Sequence, residues 1–304
     1  MGKPRKKNSA AADRSLTSPP AVETALGFLE TRGYAALTRA TDAMHKAAAV
    51  ERLDTVQIGS AYATILTVGA VAAVQAAVEA GLAELKDHKG LVGAHVIPAP
   101  HREILNRFAR GVYDGQGEFG GALGLIETKG LSGLIIAHDA ALKAAQVTTE
   151  GFFALGSGLV AVILRGDVAA IKAGVGAGVS ALADGAGELH ARLVVPSPSP
   201  GLVPALIGSA IRREETRRGA IGIIETRGYV AAFAAADAAL KAAAVGIECW
   251  KKIGGGMVSV TVGGEVAAVK AAVAAGCDAA QPVAEVLATL IVPRPHESVY
   301  ISMP

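Results

Sequence analysis

Three glutamates stand in register along the chain. Glu30, Glu127 and Glu225 lie 97 and 98 residues apart, each followed by an aspartate twelve residues on (Asp42, Asp139, Asp237) and a lysine four residues later (Lys46, Lys143, Lys241). Carboxylates do acid–base work when two of them share a pocket that drives their pKa values apart. Here the carboxylates are spread over helix starts and linkers, and no such pair emerges. Seventeen residues after each aspartate comes a small-residue triplet: Gly59-Ser60-Ala61, Gly156-Ser157-Gly158 and Gly254-Gly255-Gly256. A glycine-rich turn can cradle a phosphate with its N–H groups, but the Walker spacing and its Lys-Ser/Thr are missing. "GVGAGV" (174–179) lies inside a helical pattern and lacks the full dinucleotide fingerprint. The histidines (45, 88, 95, 101, 138, 190, 296) form no i, i+4 pair and no cluster with cysteine, so no metal site is expected. Cys249 and Cys277 make neither a disulfide framework nor a metal quartet, and read as buried small hydrophobes. No enzyme chemistry and no cofactor are expected.

The register calls for positioning elements that repeat. Ten residues after the first glycine of each triplet stands another glycine, Gly69, Gly166 and Gly264, so no spacing slips between the copies. A period near a hundred residues far exceeds a solenoid unit of ~20–50 residues, so each copy is a domain. The expected boundaries are a basic disordered tail at 1–20, domains at 21–108, 119–206 and 218–304, and linkers at 109–118 and 207–217. Within a copy, "ALGLIET" alternates as a strand should. Leu131 to Ala145 is Ala/Leu-rich, with Asp139 and Lys143 one turn apart, and reads as a helix. Two strands flank the triplet as a hairpin. A second helix opens at Asp167, where an acid suits the N-terminal dipole; Glu265 sits likewise, and Ala70 takes that place in the first copy. "HARLVVP" is a last strand ended by Pro196. The order β-α-β-β-α-β predicts a ferredoxin-like α+β domain with helices on one side of an antiparallel sheet.

Composition narrows the class further. Apolar residues make up 51% of the 304 and aromatics only 4%, so thin side chains let elements approach closely. Net charge is +2, and the first twenty residues carry five basic groups against Asp13, leaving the remainder slightly acidic. Neither nucleic acid nor a membrane is an expected partner: no uncharged apolar run reaches the ~18 residues of a spanning helix. With two cysteines and no signal peptide in the sequence, the chain reads as cytoplasmic.

The motifs "IETRG"/"IETKG", the "D-A-x-x-K-A-A" helix, "KIGGG", "GEVAAVKAA", "VIPAPH" and "IVPRPH" together resemble the bacterial microcompartment shell proteins, built from the BMC domain. The resemblance spans nearly the whole chain after its tail. It implies three tandem BMC domains, a flat tile of six domains around a central pore, and tiles joined edge to edge into a shell around enzymes. Three domains per chain then call for a homodimer. Other shell proteins and the enclosed enzymes are the implied further partners, and the microcompartment shell the implied location. The resemblance assigns the pore lining to Gly59, Ser60, Ala61, Gly156, Ser157, Gly158, Gly254, Gly255 and Gly256. Read without it, the same triplets are ordinary hairpin turns. It assigns the tile edge to Arg32, Lys129 and Arg227. The helix lysines Lys46, Lys143 and Lys241 read as solvated residues or contacts between domains. The copies differ: Lys252 precedes the third loop where Gln57 and Ala154 precede the others, and the second copy ends "VPSPSP" without a histidine. Some members hold an iron–sulfur cluster through a cysteine in the loop; Cys249 lies five residues short of Gly254. The alternative class is a ligand-binding or sensing oligomer of small α+β domains.

Overall fold

The computed structural model describes residues 24–86, 89–105, 121–183, 185–200, 202 and 219–296. The expected tail (1–20) and both expected linkers (109–118, 207–217) lie outside them. The first unit runs β1 (Thr24–Arg32), α1 (Tyr34–Ala47), β2 (Glu51–Gly59), β3 (Tyr62–Ala70), α2 (Val71–Glu84) and β4 (Leu91–Ile97). The second repeats it with β5 (Ala122–Lys129), α3 (Leu131–Ala144), β6 (Thr148–Gly156), β7 (Leu159–Gly166), α4 (Val168–Ser180) and β8 (Glu188–Val195). The third has β9 (Ala220–Arg227), α5 (Tyr229–Ala242), β10 (Val245–Gly254), β11 (Met257–Gly264), α6 (Val266–Ala280) and β12 (Val286–Val292). Each unit folds a four-stranded antiparallel sheet, ordered β2-β3-β1-β4, β6-β7-β5-β8 and β10-β11-β9-β12. This is the α+β order that the sequence predicts, three times over. Asp167 caps α4 as expected, its carboxylate accepting from Ala170 N at 2.7 Å; the longer Glu265 makes no such bond at α6.

The first strands of the first two units are buried on both faces, and the two faces serve different purposes. Residues alternate across a strand. In β1, Ala25 and Leu29 join a core with Leu37, Met44, Val74 and Val78 of the unit's own helices. A Cβ on Gly27 would lie 2.5 Å from Val74, and one on Gly124 or Gly222 would clash in the same way with Val175 or Val273. Glycine stands at this strand position because the second helix lies directly on it.

The opposite face points at the next unit. Leu26 and Phe28 of β1 share a cluster with Leu131, Leu134 and Ile135 of α3. Leu123 and Leu125 of β5 do the same with Tyr229, Val230 and Phe233 of α5. Each of these sheets therefore lies between its own helices and the first helix of the following unit. That is why α3 and α5 each bury ten of fourteen residues, whereas α1, with no described unit before it, buries only four.

Candidate functional site: the loops and the seams between units

The three triplets connect β2 to β3, β6 to β7 and β10 to β11. All nine of their residues have positive φ, from 49° at Ser60 to 104° at Gly254. That backbone region costs an L-residue about 1–2 kcal/mol and glycine nothing. Glycine is thus favoured by the turn, and Ser60, Ala61 and Ser157 are held there against their preference.

The loops also meet each other. A Cβ on Gly59 would sit 3.0 Å from Gly156 Cα, one on Gly156 would sit 3.8 Å from Gly255 N, and one on Gly256 would sit 3.5 Å from Ser157 Cβ. Lys252, just before the third loop, donates to the Ala154 carbonyl of the second unit at 3.2 Å. Backbones from three places about a hundred residues apart therefore lie in van der Waals contact. No charged side chain belongs to any of the loops.

The repeated glutamate holds the seams. Glu30 Oε1 and Oε2 accept the N–H groups of Leu131 (2.8 Å) and Ser132 (3.2 Å), the first two residues of α3. Thr64 donates a third bond to Glu30, at 3.1 Å. Glu127 accepts the N–H groups of Tyr229 (3.0 Å) and Val230 (3.1 Å) at the start of α5. A helix leaves its first N–H groups without internal partners and carries partial positive charge there. The glycine before each helix, Gly130 and Gly228, has no side chain to cap it, so the preceding unit's glutamate does. Both carboxylates are fully buried. Burial pushes the Glu127 carboxyl up to about 7, with the Tyr229 and Val230 N–H groups pulling the other way.

A second contact recurs with the same offset. Asp139 Oδ1 accepts the His101 N–H at 2.6 Å, and Asp237 Oδ1 accepts the Ser199 N–H at 2.9 Å. The segment after the last strand of one unit is thereby pinned to the first helix of the next. Lys143 and Lys241 bridge the same two aspartates, each at 2.5 Å. The sequence displays all these residues as register marks. Their role as clips stays hidden there, because a partner about a hundred residues away leaves no periodic signal.

Arg32, Lys129 and Arg227 lie beside the loops. They pair across the sheet with Tyr62, Leu159 and Met257, the residues that follow the loops. The next residues, Gly33, Gly130 and Gly228, donate to Ala61, Gly158 and Gly256 carbonyls inside the loops, each at 2.8 Å. Paired strand residues stand about 5 Å apart, so these cations flank the loops. Arg32 donates to Tyr62 Oη at 2.7 Å, and Arg227 pairs with Glu285 at 2.9 Å. The helix lysines are the distant ones. Helix α3 starts beside the second loop, and a rise of 1.5 Å per residue carries Lys143 about 18 Å along it.

Cys249 is buried as expected, but Cys277 is half-exposed. Among the described residues no three His, Cys, Asp or Glu side chains gather where a metal could bind, and no helix is long and apolar enough to cross a membrane. A pocket of about 320 Å³ opens between the first two units, beside Glu30, His95, Lys129, Ser132 and Glu188. Glu30 is engaged there by α3 and Lys129 by Glu188 at 3.8 Å, while the buried Ser132 Oγ has no hydrogen-bond partner among the described residues.

The BMC domain pattern matches residues 25–100, 122–198 and 220–295, so the chain belongs to the BMC-domain family and carries its domain three times. It is similar to the carboxysome assembly protein CcmO of Synechocystis sp., at 35% identity over 192 residues; the match covers 60% of this chain and 64% of that relative, somewhat less than two thirds of its length. It is 49% identical over 85 residues to the bacterial microcompartment shell protein PduA of Citrobacter freundii, covering 28% of this chain and 91% of that one. Among solved structures, a microcompartments protein from Desulfitobacterium hafniense overlaps 59% of this chain and 97% of its own, with a TM-score of 0.49 and 31% identity.

Proposed function

We propose that this protein is a structural tile of a microcompartment shell, in which two chains close a ring of six domains around an opening lined by the nine loop residues. The observation that carries the reading is the meeting of the three loops at one place. The two seams repeat one contact, Glu30 to α3 and Glu127 to α5, with a near-constant offset. Units related by a repeated step about a shared point continue into a ring. Six domains at three per chain require two chains. The opening would present Ser60, Ser157 and backbone N–H groups, equipment for small polar or anionic solutes. Apolar solutes would desolvate those groups without replacing their bonds.

The rim of such a ring lies at the far ends of the first helices, so Lys46, Lys143 and Lys241 take the edge role instead of Arg32, Lys129 and Arg227. The other partners of this reading are shell proteins meeting that rim and the enzymes enclosed. Electron microscopy of the concentrated protein tests it. Flat sheets with one opening per six domains are expected; isolated particles with no tendency to tile would count against a shell role.

A further inference from the structure

Each internal seam joins a donor half, the start of a first helix, to an acceptor half, the outer sheet face of the preceding unit with its glutamate. Among the described residues, two such seams leave one half of the contact open at each end. At the start of α1, Tyr34 is 60% exposed, while its counterpart Tyr229 is fully buried. The Asp42 side chain is 60% exposed, against 8% for Asp139 and 12% for Asp237. At the other end Glu225 is half-buried where Glu30 and Glu127 are fully buried, and no hydrogen bond to its carboxylate is seen among the described residues. Leu290, on β12 of the same sheet, is 54% exposed.

Resting on the two-chain ring, we infer that the Glu225 carboxylate of each chain caps α1 of the other, accepting the Tyr34 and Ala35 N–H groups as Glu127 accepts those of Tyr229 and Val230. The occupant of both open ends is a second copy of this chain, because the surfaces are halves of a contact that the chain already makes twice. Helix α1 supplies donors and partial positive charge, and domain 3 supplies the anion.

This closing seam differs in chemistry from the internal ones. Tyr229 stacks on Phe153 of the preceding unit at 4.5 Å. Counting back from the loops, Lys251 holds the place of Phe153 in domain 3, so an ammonium would face the Tyr34 ring. The outer face of α1 carries Thr38, Arg39, Asp42 and His45 where α3 carries Ile135, Ile136, Asp139 and Leu142. Two seams are apolar and permanent, being within one chain. The seam between chains is polar and charged, so the ring opens and closes there, and salt weakens it.

The test uses the full chain in sedimentation velocity over a range of concentration, with circular dichroism confirming the fold. Glu225→Ala removes the cap. Ala35→Glu places a second carboxylate opposite Glu225 at an exposed position, where an acid in the first turn favours the helix. Each variant alone should dimerise about ten-fold more weakly or worse. Mixed one to one they should recover dimer. The mixed pair has one unaltered seam. In its other seam the two substitutions face each other, so a single carboxylate remains and the repulsion is gone. Variants that dimerise like the parent, or a mixture that stays monomeric, overturn the Glu225 seam while leaving the ring. A parent chain that is monomeric throughout overturns the ring itself.

Discussion

Replacing Glu127 by alanine should destabilise the seam between the second and third domains, and by an amount that depends on pH. The substitution strands two fully buried N–H groups, those of Tyr229 and Val230. An unsatisfied buried donor costs about 1–3 kcal/mol, so the loss is roughly 2–6 kcal/mol. Against this stands the cost of ionising Glu127 where it is. Its carboxyl lies near 7 in the fold against an ordinary value of 4.5. A carboxyl raised by folding leaves stability highest below 4.5 and takes it away as pH climbs to 7, by about 3 kcal/mol in all. Alanine removes that cost with the group. Most of the loss therefore appears near pH 5, and about 2.5 kcal/mol less of it near pH 8. Trp250, the chain's one tryptophan, reports on the seam because its ring lies 5.3 Å from Tyr229 and 6.0 Å from Phe153. Urea unfolding followed by its fluorescence should show a large fall in midpoint near pH 5 and a small one near pH 8. An equal fall at both, or a larger one near pH 8, would refute the reasoning.

Gly228→Ala combines a φ of +91° with a Cβ placed 2.7 Å from the Glu127 carboxylate, so it should lower the same transition by several kcal/mol, on the order of the cap itself. Ala61→Gly relieves a φ of +64° and should raise thermal stability by up to about 1 kcal/mol, read as a higher unfolding temperature. Asparagine at both Ser60 and Ser157 tolerates their φ while narrowing the opening, so it should slow solute passage through assembled sheets and leave the unfolding temperature nearly unchanged. Alanine at Lys46, Lys143 and Lys241 should abolish sheets in the electron microscope while costing the particle at most about 1 kcal/mol per lost ion pair, since Asp139 and Asp237 keep their His101 and Ser199 N–H bonds; alanine at Arg32, Lys129 and Arg227 should leave sheet formation intact.

Much of the fold is legible in the sequence because it is written three times. The constant spacing of Glu127, Asp139, Gly156 and Gly166 with their counterparts fixes the domain count, and the alternation in "ALGLIET" locates the central strand. The loop triplets stand out because only a left-handed backbone asks for glycine so insistently. The nearness of the motif cations to the loops stays hidden for a reason of geometry. Arg32 is far from Tyr62 in the chain and adjacent to it in the sheet, and nothing local in "ETRG" says which end of the strand faces the centre. The seams stay invisible for a similar reason. Glu30 and Leu131 are 101 residues apart, and the burial of α3 and α5 but not α1 follows from order along the chain. Helix α1 does carry Thr38, Arg39 and His45 where α3 carries Ile135, Ile136 and Leu142, but that difference gains its meaning only once the seam is seen.

The central claim, that two chains close one six-domain ring, is tested most directly by the mass of the intact particle in native mass spectrometry. The account predicts twice the 30.5 kDa chain mass, falling to the single-chain mass at high dilution. A particle of three chains, or one that stays a single chain at every concentration, would contradict it.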